Sequence, residues 1–198
     1  MSWIADVIGN GGIAGVAALT FIETFFPPIP SEVVMPLAGI AAAQGDMPIA
    51  GAIVAGVVGS MGGNIAFYAL ARRLGVERFE AWIDRHGRWL TLDRASVERV
   101  RHWFERAGPW VVGAGRCIPG VRSIVSIPAG LVGMKWPVFL AWSALGTTVW
   151  TSALTLAGYT LGRNALPQIE AWLGPVSYAV IGIALATYVF RLATWRKT

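Results

Sequence analysis

The sequence predicts an all-α membrane protein with several helices that cross the bilayer. Of its residues 55% are hydrophobic and only 14% are charged, and the mean hydropathy is +0.58. An average soluble domain carries about 25% charged residues, so this chain has few polar side chains for a surface that faces water. Three apolar runs, at about residues 47–71, 136–161 and 167–190, each exceed the roughly 20 residues that a helix needs to cross a bilayer.

The 198 residues are predicted to form a single domain, 1–198. No polar Gly/Ser-rich or Pro-rich run divides them into two parts with separate cores. Residues 11–26 supply a further, shorter apolar run rich in glycine, which predicts a fourth membrane helix. The single cysteine, Cys117, allows no internal disulfide and no multi-cysteine metal site. We expect no cofactor and no bound metal.

Two apolar segments, at about residues 26–45 and 110–135, are interrupted by prolines and do not fit a continuous helix. In both segments a proline is followed eleven positions later by a glycine: Pro28 by Gly39, and Pro119 by Gly130. Proline-broken segments in corresponding positions of two halves are typical of transporters built from repeats. Broken backbone at membrane depth must be surrounded by protein or water, so we predict two inverted re-entrant hairpins.

The only long hydrophilic segment is predicted to be amphipathic and to cover about residues 72–107. Between Arg72 and Arg106 it holds nine arginines interleaved with six acidic residues. Interleaved carboxylates would repel phosphates, so nucleic acid is not an expected partner. Within the segment Asp93 can cap a helix whose apolar positions fall on one face: Val97, Val100, Trp103 and Phe104.

The distribution of positive charge predicts the topology. If each of the two proline-broken segments enters and leaves the membrane on a single face, residues 72–107 and the basic C-terminal tail lie on the same side of the membrane. The positive-inside rule makes that side cytoplasmic and places Asp46 near the outer face.

Four charged residues lie in hydrophobic settings in the two proline-broken segments and the short apolar run before the first of them: Glu23, Glu32, Arg116 and Arg122. An ionisable side chain in the bilayer costs roughly 2.5–3.5 kcal/mol on insertion scales, so the acidic and basic residues are expected to pair where the two hairpins meet. A phosphate headgroup could compete for the arginines, because guanidinium groups bind phosphate oxygens bidentately. The released carboxylates would then take up protons, since burial disfavours the charged form. Entry of an anion would thereby be coupled to proton uptake.

Simpler interpretations of the same residues remain open. Glu23 and Glu32 could lie at the interface with their carboxylates in water, and the two arginines could extend to the lipid headgroups. Three serines, Ser31, Ser123 and Ser126, could contact the ligand, or could bond to backbone groups as serine does in many membrane helices.

Residues 22–162 resemble the DedA family of bacterial inner-membrane proteins, whose shared region is also called the VTT domain. The resemblance rests on Glu23, on "PPIPSE" ending at Glu32, and on "GRCIPGVRSIVSIPAG", which contains Arg116 and Arg122. It implies two re-entrant hairpins that face each other, and lipid-carrier transport that depends on the proton motive force. For some members the cargo is undecaprenyl phosphate. It also implies essential roles for these two acids and two arginines.

The predicted function is therefore transport of a phosphate-bearing lipid across the bacterial inner membrane, most specifically recycling of undecaprenyl phosphate with protons as partners. A phospholipid scramblase and a proton-coupled small-ion or drug transporter are the alternatives. No GxSxG, HExxH, P-loop or dinucleotide motif is present, so we predict no enzymatic activity. The GxxxG spacings allow a homo-oligomer, although they also serve packing within one chain.

Overall fold

The computed structural model describes residues 2–25, 31–90, 98, 102, 104, 106–118, 121, 122 and 124–162, and the regular secondary structure in these ranges is helical. The helices are α1 (Ser2–Phe25), α2 (Ser31–Ala43), α3 (Ile49–Leu90), α4 (Trp110–Arg116), α5 (Ser126–Leu131) and α6 (Trp136–Leu161). The predicted spanning helix at 167–190 and the predicted Asp93 cap lie outside the described residues.

Two of the helices are interrupted at a glycine in the left-handed region. The backbone of α1 breaks at Gly12, with φ 53° and ψ −136°, and that of α3 at Gly75, with φ 73° and ψ 165°. Glycine adopts such angles because it has no Cβ. Beyond the break at Gly75, α3 continues into the hydrophilic sequence as far as Leu90.

The break at Gly12 folds α1 back on itself. In a straight helix the eight residues from Val7 to Gly15 would separate their backbones by about 12 Å. Here a Cβ on Gly15 would collide with the Val7 carbonyl oxygen, so the two parts of α1 pack against each other. The apolar run predicted at 11–26 is therefore only the second part of a longer, broken element.

Among the residues that the structure describes, two helices are long and apolar enough to cross a membrane by length and composition: Trp3–Phe25 and Ile49–Ala81. The first of them is the broken α1. Large apolar side chains are exposed along one side of α3, at Val54 and Val58, and of α6, at Leu145 and Val149. Such surfaces suit contact with lipid tails rather than water.

Glycines allow α1 and α3 to pack closely. A Cβ on Gly59 would collide with the Ala17 carbonyl, and one on Gly63 with the side chain of Thr24. The GxxxG spacing of α3 thus serves a contact within the chain, as it often does in membrane helices.

Helices α2 and α6 approach each other in the same way. Gly39 lies against the backbone of Thr155, and Gly158 against the backbone of Pro36. A side chain at either glycine would force these two helices apart.

We expect Gly158→Ala to destabilise the protein and Gly9→Ala to leave it unchanged or slightly more stable. The added methyl at position 158 would meet the Pro36 backbone, whereas the one at Gly9 would meet open space. Overpacking costs about 1–3 kcal/mol, while alanine is better than glycine in a helix by roughly 0.5–1 kcal/mol. Thermal unfolding of the two purified variants in one detergent checks this; a lower melting temperature for Gly9→Ala than for Gly158→Ala would contradict it.

The buried apolar residues form two clusters with polar residues between them. The first cluster joins α1, α2 and the start of α3, and includes Val16, Leu19, Val33, Met35, Ala38, Ala52 and Ala55. The second includes Tyr68, Val111, Val112, Val125, Ala129 and Phe139. Along α3 and α6, between these clusters, buried polar side chains form what we call the polar belt: Ser60, Asn64, Ser143, Thr147 and Thr151.

Candidate functional site

Helices α4 and α5, with the turn between them, place both arginines of the motif beside α6. Arg116 is the last residue of α4, and Arg122 follows in the turn, where its N–H donates to the Ile118 carbonyl. Gly146 of α6 lies directly against Arg116, because a Cβ at that glycine would meet the arginine's Cβ. These contacts place both arginine side chains beside the polar belt.

Arg116 is fully enclosed and is held by several hydrogen bonds. It is 2% exposed, and its Nη2 donates to Ser126 Oγ and to Ser143 Oγ, each at 2.9 Å. Its Nη1 donates to the backbone carbonyl of Arg122, and its Cζ lies 5.8 Å from the ring centroid of Phe139. Arg116 thus ties α5 and α6 together and fixes the turn that carries the second arginine.

Arg122 forms a buried ion pair with Glu23 of α1. Its Nη1 donates to Glu23 Oε1 at 3.0 Å, and the side chains are 15% and 1% exposed, respectively. The other carboxylate oxygen, Oε2, is buried with no hydrogen-bond partner within the described parts of the chain. The two ends of this pair are 99 residues apart in the sequence.

Glu32 lies nearby, in the first turn of α2. It is half-buried, and it is close enough to Glu23 for the two carboxylates to repel each other. The preceding residue, Ser31, is buried and accepts a hydrogen bond from Trp150 Nε1 at 3.4 Å. The start of α2 is thus attached to α6 beside the charge cluster.

A small cavity of about 10 Å³ lies between the two arginines and the polar belt. This volume corresponds to about one water molecule. Six polar or charged residues and one tryptophan line it: Thr24, Ser60, Asn64, Arg116, Arg122, Thr147 and Trp150. In this conformation the site therefore has little free volume beside its charges.

The structure brings together four of the predicted site residues: Glu23, Arg116, Arg122 and Ser126. Glu32 and Ser31 lie at the edge of this group, and Ser123 lies outside the described residues. Binding and proton-coupling roles for all of them stay predictions. Among the described residues, no group of three or more His, Cys, Asp or Glu side chains could hold a metal ion.

The sequence analysis missed the polar belt. Its members lie on two helices at intervals of four residues, Ser60 and Asn64 on α3, and Ser143, Thr147 and Thr151 on α6. Positions four apart lie on one face of a helix, so the spacing alone indicated a polar stripe facing the protein interior. Which of these side chains contacts an arginine depends on how the helices are rotated, and the spacing does not give that.

Fold and site together define an integral membrane protein that gathers its few buried charges at one point between its helices. The family model of the VTT domain matches residues 29–160, and this range contains both arginines and Glu32. The chain therefore belongs to the VTT-domain family, the DedA family of bacterial inner-membrane proteins.

Relatives in other bacteria match over almost the whole chain. "Undecaprenyl phosphate transporter A" of Staphylococcus aureus (strain NCTC 8325 / PS 47) is 32% identical over 197 residues, which cover 98% of this chain and 97% of that one. The Bacillus subtilis (strain 168) protein of the same name is also 32% identical, over 100% and 96% of the two chains. A Lactococcus lactis subsp. cremoris (strain MG1363) protein named "Alkaline phosphatase-like protein" is 35% identical over 98% and 91%. No solved structure matches significantly.

Proposed function

We propose that this protein transports a phosphate-bearing lipid, undecaprenyl phosphate above all, between the leaflets of the inner membrane in a proton-dependent manner. The observation that carries the proposal is the cluster of Arg116, Arg122 and Glu23, in which Arg116 is buried and bonds to the Arg122 carbonyl, while Arg122 pairs with the buried Glu23 carboxylate. Arginine binds phosphate oxygens through its planar fork of N–H groups. The names of the Staphylococcus and Bacillus relatives support the same cargo.

Glu23 is the group that an arriving anion would displace from Arg122. Arg122 reaches Glu23 with one nitrogen, so an arriving phosphate can take the remaining N–H groups first and then replace the carboxylate. Arg116 is anchored through both of its terminal nitrogens. We assign it the fixed half of the anion site, with Arg122 as the half that exchanges partners.

Displacement of Glu23 would couple phosphate binding to a proton. A carboxylate that loses its arginine inside the apolar bundle is left charged without compensation, with the repelling carboxylate of Glu32 nearby. Uptake of a proton removes that charge. Glu23 is therefore the first proton-coupling group in our proposal, and Glu32 acts with it.

The contacts of α4 and α5 support the proposed re-entrant hairpin. Gly113 of α4 packs on Trp142, in the first part of α6, and Gly130 of α5 packs on Tyr68 and Ala71, near the hydrophilic end of α3. We propose that this segment enters and leaves the membrane on the cytoplasmic side, with its tip at Arg122. The opposing acidic hairpin would enter from outside, and residues 72–107 would be cytoplasmic.

The serine contacts fit supporting roles in the same scheme. Ser126 holds Arg116 directly, while Ser31 connects α2 to Trp150. We propose that both hydroxyls become available to the headgroup oxygens when the helices separate, together with Ser123. A homo-oligomer remains part of the proposal, although the α3 glycines already pack within the chain.

Transport in reconstituted vesicles tests the proposal. With labelled polyprenyl phosphate, the wild-type protein should change the leaflet in which the lipid is accessible, and an imposed pH gradient should accelerate the change. The double variant Glu23→Gln, Glu32→Gln should lose the response to the gradient, because neither side chain can then carry the proton. Asp46→Asn is the control, since Asp46 is exposed beyond α2 and lies outside the charge cluster.

Other outcomes separate the alternatives. Gradient-driven transport that persists in the Glu23→Gln, Glu32→Gln protein would show that protons travel elsewhere. Exchange of ordinary phospholipids in both directions, independent of the gradient, would identify a scramblase. Release of free phosphate from the lipid would contradict the prediction that the protein is not an enzyme, and would instead match the name of the Lactococcus relative.

A further inference from the structure

Three side chains of the polar belt have buried atoms without a hydrogen-bond partner among the residues that the structure describes. Ser60 Oγ, Asn64 Oδ1 and Thr147 Oγ1 have no hydrogen-bond partner in the described parts of the chain, and Arg116 Nε also has none. The three residues are 3%, 4% and 5% exposed. Buried polar atoms are nearly always paired, so four unpaired ones around a single cavity indicate a place for a ligand.

Thr147 shows that this is not the ordinary behaviour of polar residues in these helices. One and two turns further along α6, Thr151 and Thr155 donate to backbone carbonyls four residues back, both at 2.7 Å. Thr20 and Thr24 of α1 do the same. The hydroxyl of Thr147, in contrast, lies beside the cavity without a partner in the described part of the chain, so it can donate to a ligand there.

The charges beside the cavity select an anion. Arg116 and Arg122 both line it and repel each other, and in the described part of the chain the Glu23 carboxylate pairs with Arg122. A cation would be repelled by both guanidinium groups at short range. An oxyanion would instead accept hydrogen bonds from Arg116 Nε and from the hydroxyls of Ser60 and Thr147.

Asn64 adds a requirement that narrows the class of anion. Its Oδ1 is an acceptor, so a ligand that satisfies it must bring a donor. A phosphate monoester can carry one proton on a terminal oxygen near neutral pH, because its second ionisation occurs at about pH 6. A phosphodiester has no such O–H group. A site that hydrogen-bonds a ligand O–H discriminates strongly against an analogue that lacks it.

We propose that Ser60, Asn64 and Thr147 form a subsite for the terminal oxygens of a phosphate monoester, with Asn64 accepting a hydrogen bond from the protonated oxygen, and that this subsite rejects phosphodiesters. The inference rests on the proposed function, since it specifies the headgroup that the arginine pair binds. The cavity of about 10 Å³ is smaller than a phosphate group, so binding requires the Glu23–Arg122 contact to open.

A pair of matched ligands tests this subsite without any change to the protein. Polyprenyl phosphate and its methyl ester share the lipid chain and the phosphorus centre, but the methyl ester is a diester whose one acidic P–OH is fully ionised near neutral pH, so it has no second proton to donate. In detergent, we expect the monoester to bind the full-length protein at least about tenfold more tightly, which corresponds to loss of one hydrogen bond to a charged group. Equal affinity for the two lipids would overturn the proposal.

Variants of the protein then identify the residues that recognise the monoester. Asn64→Leu and Thr147→Val keep side-chain volume while removing the polar atoms. Asn64→Leu should reduce the preference for the monoester by about tenfold, and Thr147→Val should weaken binding of the monoester by about tenfold. Thr151→Val is the matched control, because its hydroxyl already bonds to backbone one turn away. Thermal unfolding without ligand checks that each variant is folded, and Ser60→Ala serves as a second, milder change in affinity. An unchanged preference in folded Asn64→Leu protein, or unchanged affinity in folded Thr147→Val and Ser60→Ala proteins, would overturn the proposal.

Competition with inorganic phosphate shows whether the ligand of the subsite is a lipid phosphate or free phosphate. If it competes only weakly with polyprenyl phosphate, the ligand is the lipid. If it binds as tightly as the lipid with the same dependence on Asn64 and Thr147, the subsite stands but the lipid-transport proposal fails. Monoester-selective binding together with absent transport in vesicles would likewise reject the proposed function and retain the subsite.

Discussion

Replacing Arg116 with lysine is expected to impair transport almost as severely as replacing it with alanine. Two nitrogens of this guanidinium hold the Arg122 carbonyl, Ser126 and Ser143 together. A lysine keeps the charge but has no planar fork, so it cannot maintain all three contacts. Hydrogen bonds to charged groups are worth about 1.5–3 kcal/mol each, so we expect the Lys variant to lose at least about tenfold in rate.

The alanine variant should show no transport above the background of protein-free vesicles. It removes the fixed half of the proposed anion site and leaves the buried hydroxyls of Ser126 and Ser143 without their donor. The exposed Arg73 of α3 provides matched controls, Arg73→Lys and Arg73→Ala, which should transport as the wild type does. A folded Arg116→Lys protein with the wild-type rate would show that charge alone is enough at this position.

Removing the Arg122 side chain is expected to destabilise the protein more than removing both partners of its ion pair. Arg122→Ala leaves the Glu23 carboxylate buried and uncompensated, and breaking a buried pair in this way costs about 3–5 kcal/mol in known cases. Glu23→Gln in the same protein removes the stranded charge. The double variant should therefore recover a large part of the lost free energy of unfolding.

A double-mutant cycle measured by SDS titration in mixed micelles gives the coupling between the two residues. The matched cycle combines Glu23→Gln with Arg73→Ala, and its effects should add, because Arg73 is exposed and the ion pair of Glu23 is with Arg122. Additive losses for Glu23 and Arg122 would mean that the pair contributes nothing beyond its separate side chains.

Much of the architecture follows from the sequence because membrane helices must be long and apolar. The apolar run at 136–161 corresponds to α6, and the run at 47–71 lies within α3. The glycine breaks were not predicted. Gly12 and Gly75 adopt left-handed angles, but a glycine in an apolar run can also serve helix packing, as Gly59 does. The local sequence does not distinguish these two uses.

Part of the candidate site was predicted from the sequence. Charged residues are rare in the apolar segments, so Glu23, Glu32, Arg116 and Arg122 could each be identified without the structure. The partner serine on α6, Ser143, did not, because a serine in a membrane helix commonly bonds to its own backbone. The same ambiguity concealed Ser60 and Thr147.

The sequence by itself determined that this chain belongs in a membrane and which few charges it retains there, since hydrophobicity and the cost of buried charge act on each residue separately. The tertiary structure decided which partner each of those charged side chains has. It pairs Arg122 with Glu23 across 99 residues, leaves Glu32 at the edge, and encloses Arg116 among serines instead of carboxylates. This pairing depends on how helices α1, α3 and α6 are rotated and how closely they approach. Both are set by glycine contacts between residues that are distant in the sequence.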